Sequence, residues 1–130
     1  MFDEVAEVLR RDRRIQYALV FGSFARGTNH AGSDLDVAIG GLTEPMDALA
    51  LGDLISRLES ATRRTVDLVS LDEAPPGLAY RVFRDGIVIL ERDSKIMAAR
   101  KARAILDYLD WKPVEDLFAG THSPETGRGR

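Results

Sequence analysis

Cysteine is absent from the 130 residues, which excludes disulfides and thiolate metal ligands and is compatible with a reducing compartment. No apolar stretch approaches the roughly 18 residues of a membrane span. The acidic opening Met1-Phe2-Asp3-Glu4 does not read as a signal peptide, so a soluble cytoplasmic protein is expected. A strong excess of either charge is also missing. With 18 basic and 21 acidic residues the net charge is −3, which gives no general pull toward nucleic acid or a membrane surface. Histidine is scarce: His30 reads as a surface residue of a loop, and His122 falls in a polar C-terminal stretch. There is no internal repeat and no linker that would divide the chain.

What remains is apolar content of 45%, enough for one real core in a chain of this size. Phe2, Val5 and Leu9 recur at helical spacing and predict an amphipathic helix over residues 2–13. Arg10, Arg11, Arg13 and Arg14 follow at its C-terminal end, where cations suit the helix dipole. Ile15 to Phe21 reads as an apolar strand, and Asp34 to Ile39 as a second. A helix is expected from about Glu44-Pro45, with Leu51, Leu54, Ile55 and Leu58 as its buried stripe. Val66 to Leu71 is the third strand. Pro75-Pro76-Gly77 introduces a short helix to about Arg84, and Ile87 to Leu90 is the fourth strand. The last helix is expected over Ser94 to Leu109, with Ala98, Ala102, Ile105, Leu106 and Leu109 on one face and Lys95, Arg100, Lys101 and Arg103 on a solvated one. Tyr108, Trp111 and Phe118 read as packing or partner-contact residues. These elements make a small α/β or α+β domain, a mixed sheet flanked by helices.

The chemistry concentrates in one run. A strand ends at Gly22-Ser23, ten residues follow, and the next strand opens on Asp34-Leu35-Asp36. Glycine lets backbone N–H groups approach phosphate, and serine adds a hydroxyl. Side chains alternate along a strand, so Asp34 and Asp36 share a face. Two such carboxylates stay ionised cheaply only beside a cation. Arg26 is close enough in sequence to offset phosphate charge, although a solvated loop arginine is an equal reading. Gly27, Thr28, Asn29 and Gly32 favour a flexible polar loop.

Asp67 is the second signal, on a strand and flanked by apolar Val66 and Leu68. If its strand neighbours that of Asp34 and Asp36, three carboxylates can meet on one side of the sheet. Such oxygen donors suit Mg²⁺, whose shell is completed by water and substrate phosphates. A pair of these ions can serve the attacking hydroxyl and the triphosphate. Asp67 is then the candidate to take the hydroxyl's proton.

Gly-Ser, ten residues, Asp-x-Asp and a later single Asp resemble the nucleotidyltransferase superfamily related to DNA polymerase β. The small size resembles its minimal nucleotidyltransferase (MNT) family, including the MntA-type antitoxins of HEPN/MNT toxin–antitoxin systems. Val66-Asp67-Leu-Val-Ser-Leu-Asp-Glu-Ala-Pro-Pro76, Asp85-Gly-Ile-Val-Ile-Leu-Glu91 and Tyr108-Leu-Asp-Trp-Lys-Pro113 are similar to that family too. The resemblance implies a nucleotidyltransferase domain over residues 1–119, with 120–130 expected as a disordered tail. It implies ATP as substrate, Asp34, Asp36 and Asp67 as metal-binding and catalytic residues, and Gly22 and Ser23 as the phosphate-binding turn. It further implies transfer of AMP to a tyrosine hydroxyl of a HEPN-type ribonuclease toxin.

Two other functions remain open from the residues alone. One is a binding antitoxin that acts by occlusion without catalysis. The other is a nucleotidyltransferase for a small molecule or RNA ends. The short chain argues against both of these acceptors, and RNA lacks a basic-aromatic surface here.

Overall fold

Alternation along Tyr17-Ala-Leu-Val-Phe21 decides the layering. Ala18 and Val20 join a core with Val5, Leu9, Val37, Leu54 and Leu58, whereas Tyr17 and Leu19 join Ala38, Val82, Phe83 and Ala104 on the opposite face. The sheet therefore lies between two helical layers. The computed structural model describes residues 1–121. Their elements in chain order are α1 (Phe2–Arg10), β1 (Tyr17–Phe21), α2 (Ser23–Arg26), β2 (Leu35–Gly40), α3 (Ala48–Thr62), β3 (Val66–Ser70), α4 (Pro76–Asp85), β4 (Ile87–Glu91) and α5 (Ser94–Thr121).

The strand order is β3-β2-β1-β4. β1 pairs antiparallel with β2 and with β4, and β3 pairs parallel with β2. A parallel neighbour needs a crossover, which α3 supplies. Glu59 on α3 fixes where β3 begins by accepting a bond from the Val66 N–H at 2.9 Å. Asp72 accepts from the Gly41 and Leu42 N–H groups at 2.9 Å each and pins the exit of β2.

The four strands expected from sequence are present, as is the short helix after Pro75-Pro76. Four details differ. α1 stops at Arg10, and the cation on its terminal carbonyls is Arg92, which donates to the Arg10, Asp12 and Ile15 oxygens at 2.5, 3.3 and 2.7 Å. Arg10 and Arg11 turn back to Glu7, and Arg14 grips Asp12. α3 starts at Ala48 rather than near Glu44-Pro45, because the Asp47 carboxylate caps it by accepting from the Ala50 N–H at 2.8 Å. Part of the expected loop is helical, since Ser23–Arg26 forms α2.

The fourth difference is α5. It runs to Thr121 and packs on α4 with Met97 and Ala104 in the cluster of Ala79, Val82 and Phe83 and with Tyr108 and Trp111 farther along, while Ile105, Leu106 and Leu109 face outward. Tyr108 stacks on Tyr80 of α4 at 4.1 Å. Trp111 lies over Gly77, where even a methyl group would come within 2.9 Å of the indole. Arg100 is structural, not solvated: its guanidinium donates twice to the Leu71 carbonyl, at 3.1 and 2.7 Å. Of the tail expected over 120–130, Gly120 and Thr121 fall within α5, and residues 122–130, His122 among them, lie outside the described residues.

Candidate active site

Phe21 faces Asp36 in the β1–β2 register, so Gly22 leaves the sheet beside that carboxylate. Gly22 adopts φ +71 and ψ −149, a conformation open in practice to glycine alone. A Cβ at this position would collide with the Asp36 carboxylate. The glycine thus serves two needs at once: the turn from β1 into α2, and room for Asp36. Ser23 opens α2. Arg26 closes it, followed by Gly27 in the left-handed region at φ +75.

On the other side of β2, Asp36 and Asp67 are register partners of the parallel β2–β3 pair. Registered residues point to the same side of the sheet, so these two acids stand next to one another. Asp34 precedes Asp36 by one strand repeat and shares its face. Asp36 is half-buried, and Asp34 and Asp67 are exposed. The three acids proposed from sequence stand at the N-terminal ends of β2 and β3 on one face, with Gly22 against Asp36.

Burial, followed by the charges of Asp67 and then Asp34, raises the Asp36 pKa above the ordinary carboxylate value, while Arg26 opposes the rise. The ionised cluster therefore carries a cost that a cation would offset. Among the described residues, no three acidic, histidine or cysteine side chains form a ready-made metal cage. Carboxylates placed side by side without closing a cage suit Mg²⁺, which takes one or two protein oxygens and completes its shell with water and phosphate. The donor set fits that ion.

Arg64 is a supporting residue that sequence patterns did not single out. Its guanidinium lies 4.9 Å from the centre of the Phe24 ring and donates to the Ala31 carbonyl at 3.2 Å. It thereby ties α2 to the loop that delivers Asp34. His30 is exposed and occupied within that loop, its Nδ1 accepting from the Gly32 N–H at 3.1 Å. A concavity of about 1140 Å³ lies at the start of α3 beside Arg14 and shares none of the site residues. A smaller one, about 560 Å³, opens beside Gly22 and Arg26.

Comparison with known proteins bears on the family and the fold. The family model described as Polymerase beta, Nucleotidyltransferase matches residues 3–95. The chain is 32% identical over 113 residues to the protein adenylyltransferase MntA of Shewanella oneidensis, across 83% of this chain and 80% of that protein. A crystal structure of a toxin–antitoxin with AMP-PNP superimposes with a TM-score of 0.83 at 25% identity, over 92% of this chain and 96% of its own. A tri-AMPylated Shewanella oneidensis HEPN toxin in complex with MNT antitoxin shares the fold, with a TM-score of 0.75 at 22% identity over 92% of this chain and 94% of the matched one. A glycine turn packed on an acidic strand pair, within a family match that spans most of the folded chain, leads to one assignment: this protein belongs to the Polymerase beta nucleotidyltransferase family.

Proposed function

We propose that this nucleotidyltransferase transfers AMP from ATP to a tyrosine hydroxyl of a HEPN-type ribonuclease toxin in the cytoplasm, and so acts as its antitoxin. The observation that carries the proposal is the Asp36–Asp67 register pair with Gly22 seated against Asp36. Support for the acceptor comes from the similarity to MntA and to structures of toxin–antitoxin complexes.

Asp34, Asp36 and Asp67 would hold Mg²⁺, which supplies charge stabilisation at the α-phosphate and at the leaving pyrophosphate. Gly22 and Ser23 cradle the outer phosphates, and Arg26 offsets their charge. Asp67, on the exposed side of the pair, takes the phenolic proton as the tyrosine oxygen bonds to the α-phosphorus. The bond from that phosphorus to the pyrophosphate oxygen breaks, and pyrophosphate leaves with the electron pair. No described helix is long and apolar enough to cross a membrane.

Incubation with α-labelled ATP, Mg²⁺ and a HEPN-type toxin is expected to label a tyrosine of that toxin. Asp36→Asn should lower transfer by about 100-fold or more. Unlabelled toxin with the wild-type protein, or undiminished labelling with Asp36→Asn, would overturn the proposal.

A second reading is favoured by the outward stripe of α5, where Leu106, Leu109 and Leu117 are 60%, 59% and 67% exposed. Such a face could support inhibition by occlusion alone. Full protection of cells by Asp34→Ala would select this reading over catalysis.

A further inference from the structure

The order of the strands gives the candidate site two distinct sides. Asp67 on β3 lies to one side of the β2 carboxylates, and Gly22 at the end of β1 lies to the other. In phosphoryl transfer the attacking and leaving oxygens are roughly in line through phosphorus. An acceptor activated at Asp67 therefore sends the leaving group toward Gly22.

The concavity beyond Gly22 is walled by α4 and contains three guanidinium side chains: Arg26, Arg81 and Arg84. Arg81 and Arg84 are three residues apart and share a face of α4. Arg84 is held in place from two directions. It donates to both carboxylate oxygens of Asp85, at 3.0 and 2.9 Å, and lies 5.5 Å from the centre of the Tyr80 ring. Arg81 is exposed and makes no hydrogen bond or ion pair with a described residue. Neither arginine is needed to hold the core, since Val82 and Phe83 between them supply that contact.

We propose that Arg81 and Arg84 of α4 form the subsite for the β- and γ-phosphates of the nucleotide and for the departing pyrophosphate, extending the Gly22–Arg26 turn. The proposal rests on the adenylyl-transfer reading for its direction but makes a separate claim about polyphosphate binding. Guanidinium groups are well matched to phosphate oxygens, and the cavity places them where the anion must leave. Asp85 tempers the site: its carboxylate lines the same cavity and occupies part of the Arg84 fork. A partly neutralised subsite binds pyrophosphate without trapping it.

Calorimetric titration of the full chain with pyrophosphate and, separately, with AMP, both in the presence of Mg²⁺, tests the proposal. Arg81→Gln and Arg84→Gln should each weaken pyrophosphate binding by about tenfold, Arg81→Lys should recover part of the loss, and AMP affinity should hold within about twofold. Asp85→Asn should tighten pyrophosphate binding. Overturning results are wild-type protein that takes up no pyrophosphate, arginine variants that bind it as well as wild type, or equal losses for AMP and pyrophosphate. Arginine-dependent pyrophosphate binding in a protein that labels no toxin would refute the toxin-directed reading and leave this subsite standing.

Discussion

Gly22 is the residue with the least freedom to change. Its φ of +71 and the Asp36 carboxylate at its Cβ position each exclude a side chain. Gly22→Ala is expected to cost about 1–3 kcal/mol of stability, and AMP transfer should fall more steeply than stability because Asp36 is displaced; denaturant melts beside a transfer assay would show both. Tyr17 is the opposite case, a buried group whose polar atom does nothing useful. Among the described residues its hydroxyl has no hydrogen-bond partner, and burial, reinforced by Asp72 and opposed by Arg100, pushes its pKa up to about 12 from 10. A raised folded-state pKa means that stability is intact below pH 10 and is lost as pH rises toward about 12, since the unfolded chain ionises first. Tyr17→Phe keeps the ring against Phe83 and removes only the stranded hydroxyl. The variant should be as stable as wild type or more so at neutral pH, and unfolding free energies measured up to pH 12 should lose the Tyr17 share of the alkaline decline. A variant weaker than wild type by more than about 1 kcal/mol at neutral pH would mean that the hydroxyl has a partner.

Elements differed in how far the sequence betrayed them. The four strands were legible because each apolar run is bounded by glycine, proline or charge, and Gly22, Asp34, Asp36 and Asp67 stood out because their spacing follows strand geometry. Four-residue α2 was not legible, being too short for a helical period to register. Arg92 was equally hidden, since its partners at and just beyond the end of α1 lie about 80 residues away. On α5 the choice of face failed for a physical reason: two apolar stripes compete. Ile105, Leu106 and Leu109 are the more hydrophobic set, yet Ala104, Tyr108 and Trp111 win the inner side because Gly77 admits the indole and Tyr80 offers a stacking surface. Substitution can verify this assignment. Leu106→Gln and Leu109→Gln should each change unfolding free energy by no more than about 0.5 kcal/mol. Ala104→Leu, at a fully buried position, should lose about 1–3 kcal/mol through overpacking. The reverse order in denaturant melts would return the Leu stripe to the core.

At the scale of the whole molecule, the acidic cluster sets stability against chemistry. Asp36 has a raised pKa from burial and from its neighbours Asp67 and Asp34, so at neutral pH the folded state holds a charge that the unfolded chain would carry more cheaply. In linkage terms, the stability contributed by the protonated form is lost as pH rises through the raised value, and Asp36→Asn restores it without a proton. The free Asp36→Asn protein should therefore melt above wild type. Mg²⁺ and a non-hydrolysable ATP analogue should reverse the ranking, because a ligand that binds only the folded state stabilises it by about 2.7 kcal/mol at a hundredfold excess over Kd. That is several degrees of melting temperature for a domain of this size. Wild type should gain this increment, and Asp36→Asn should gain little. Thermal melts of both proteins, with and without ligand, distinguish this from a merely structural aspartate, whose replacement would lower the melting point of the free protein and leave the ligand increment intact.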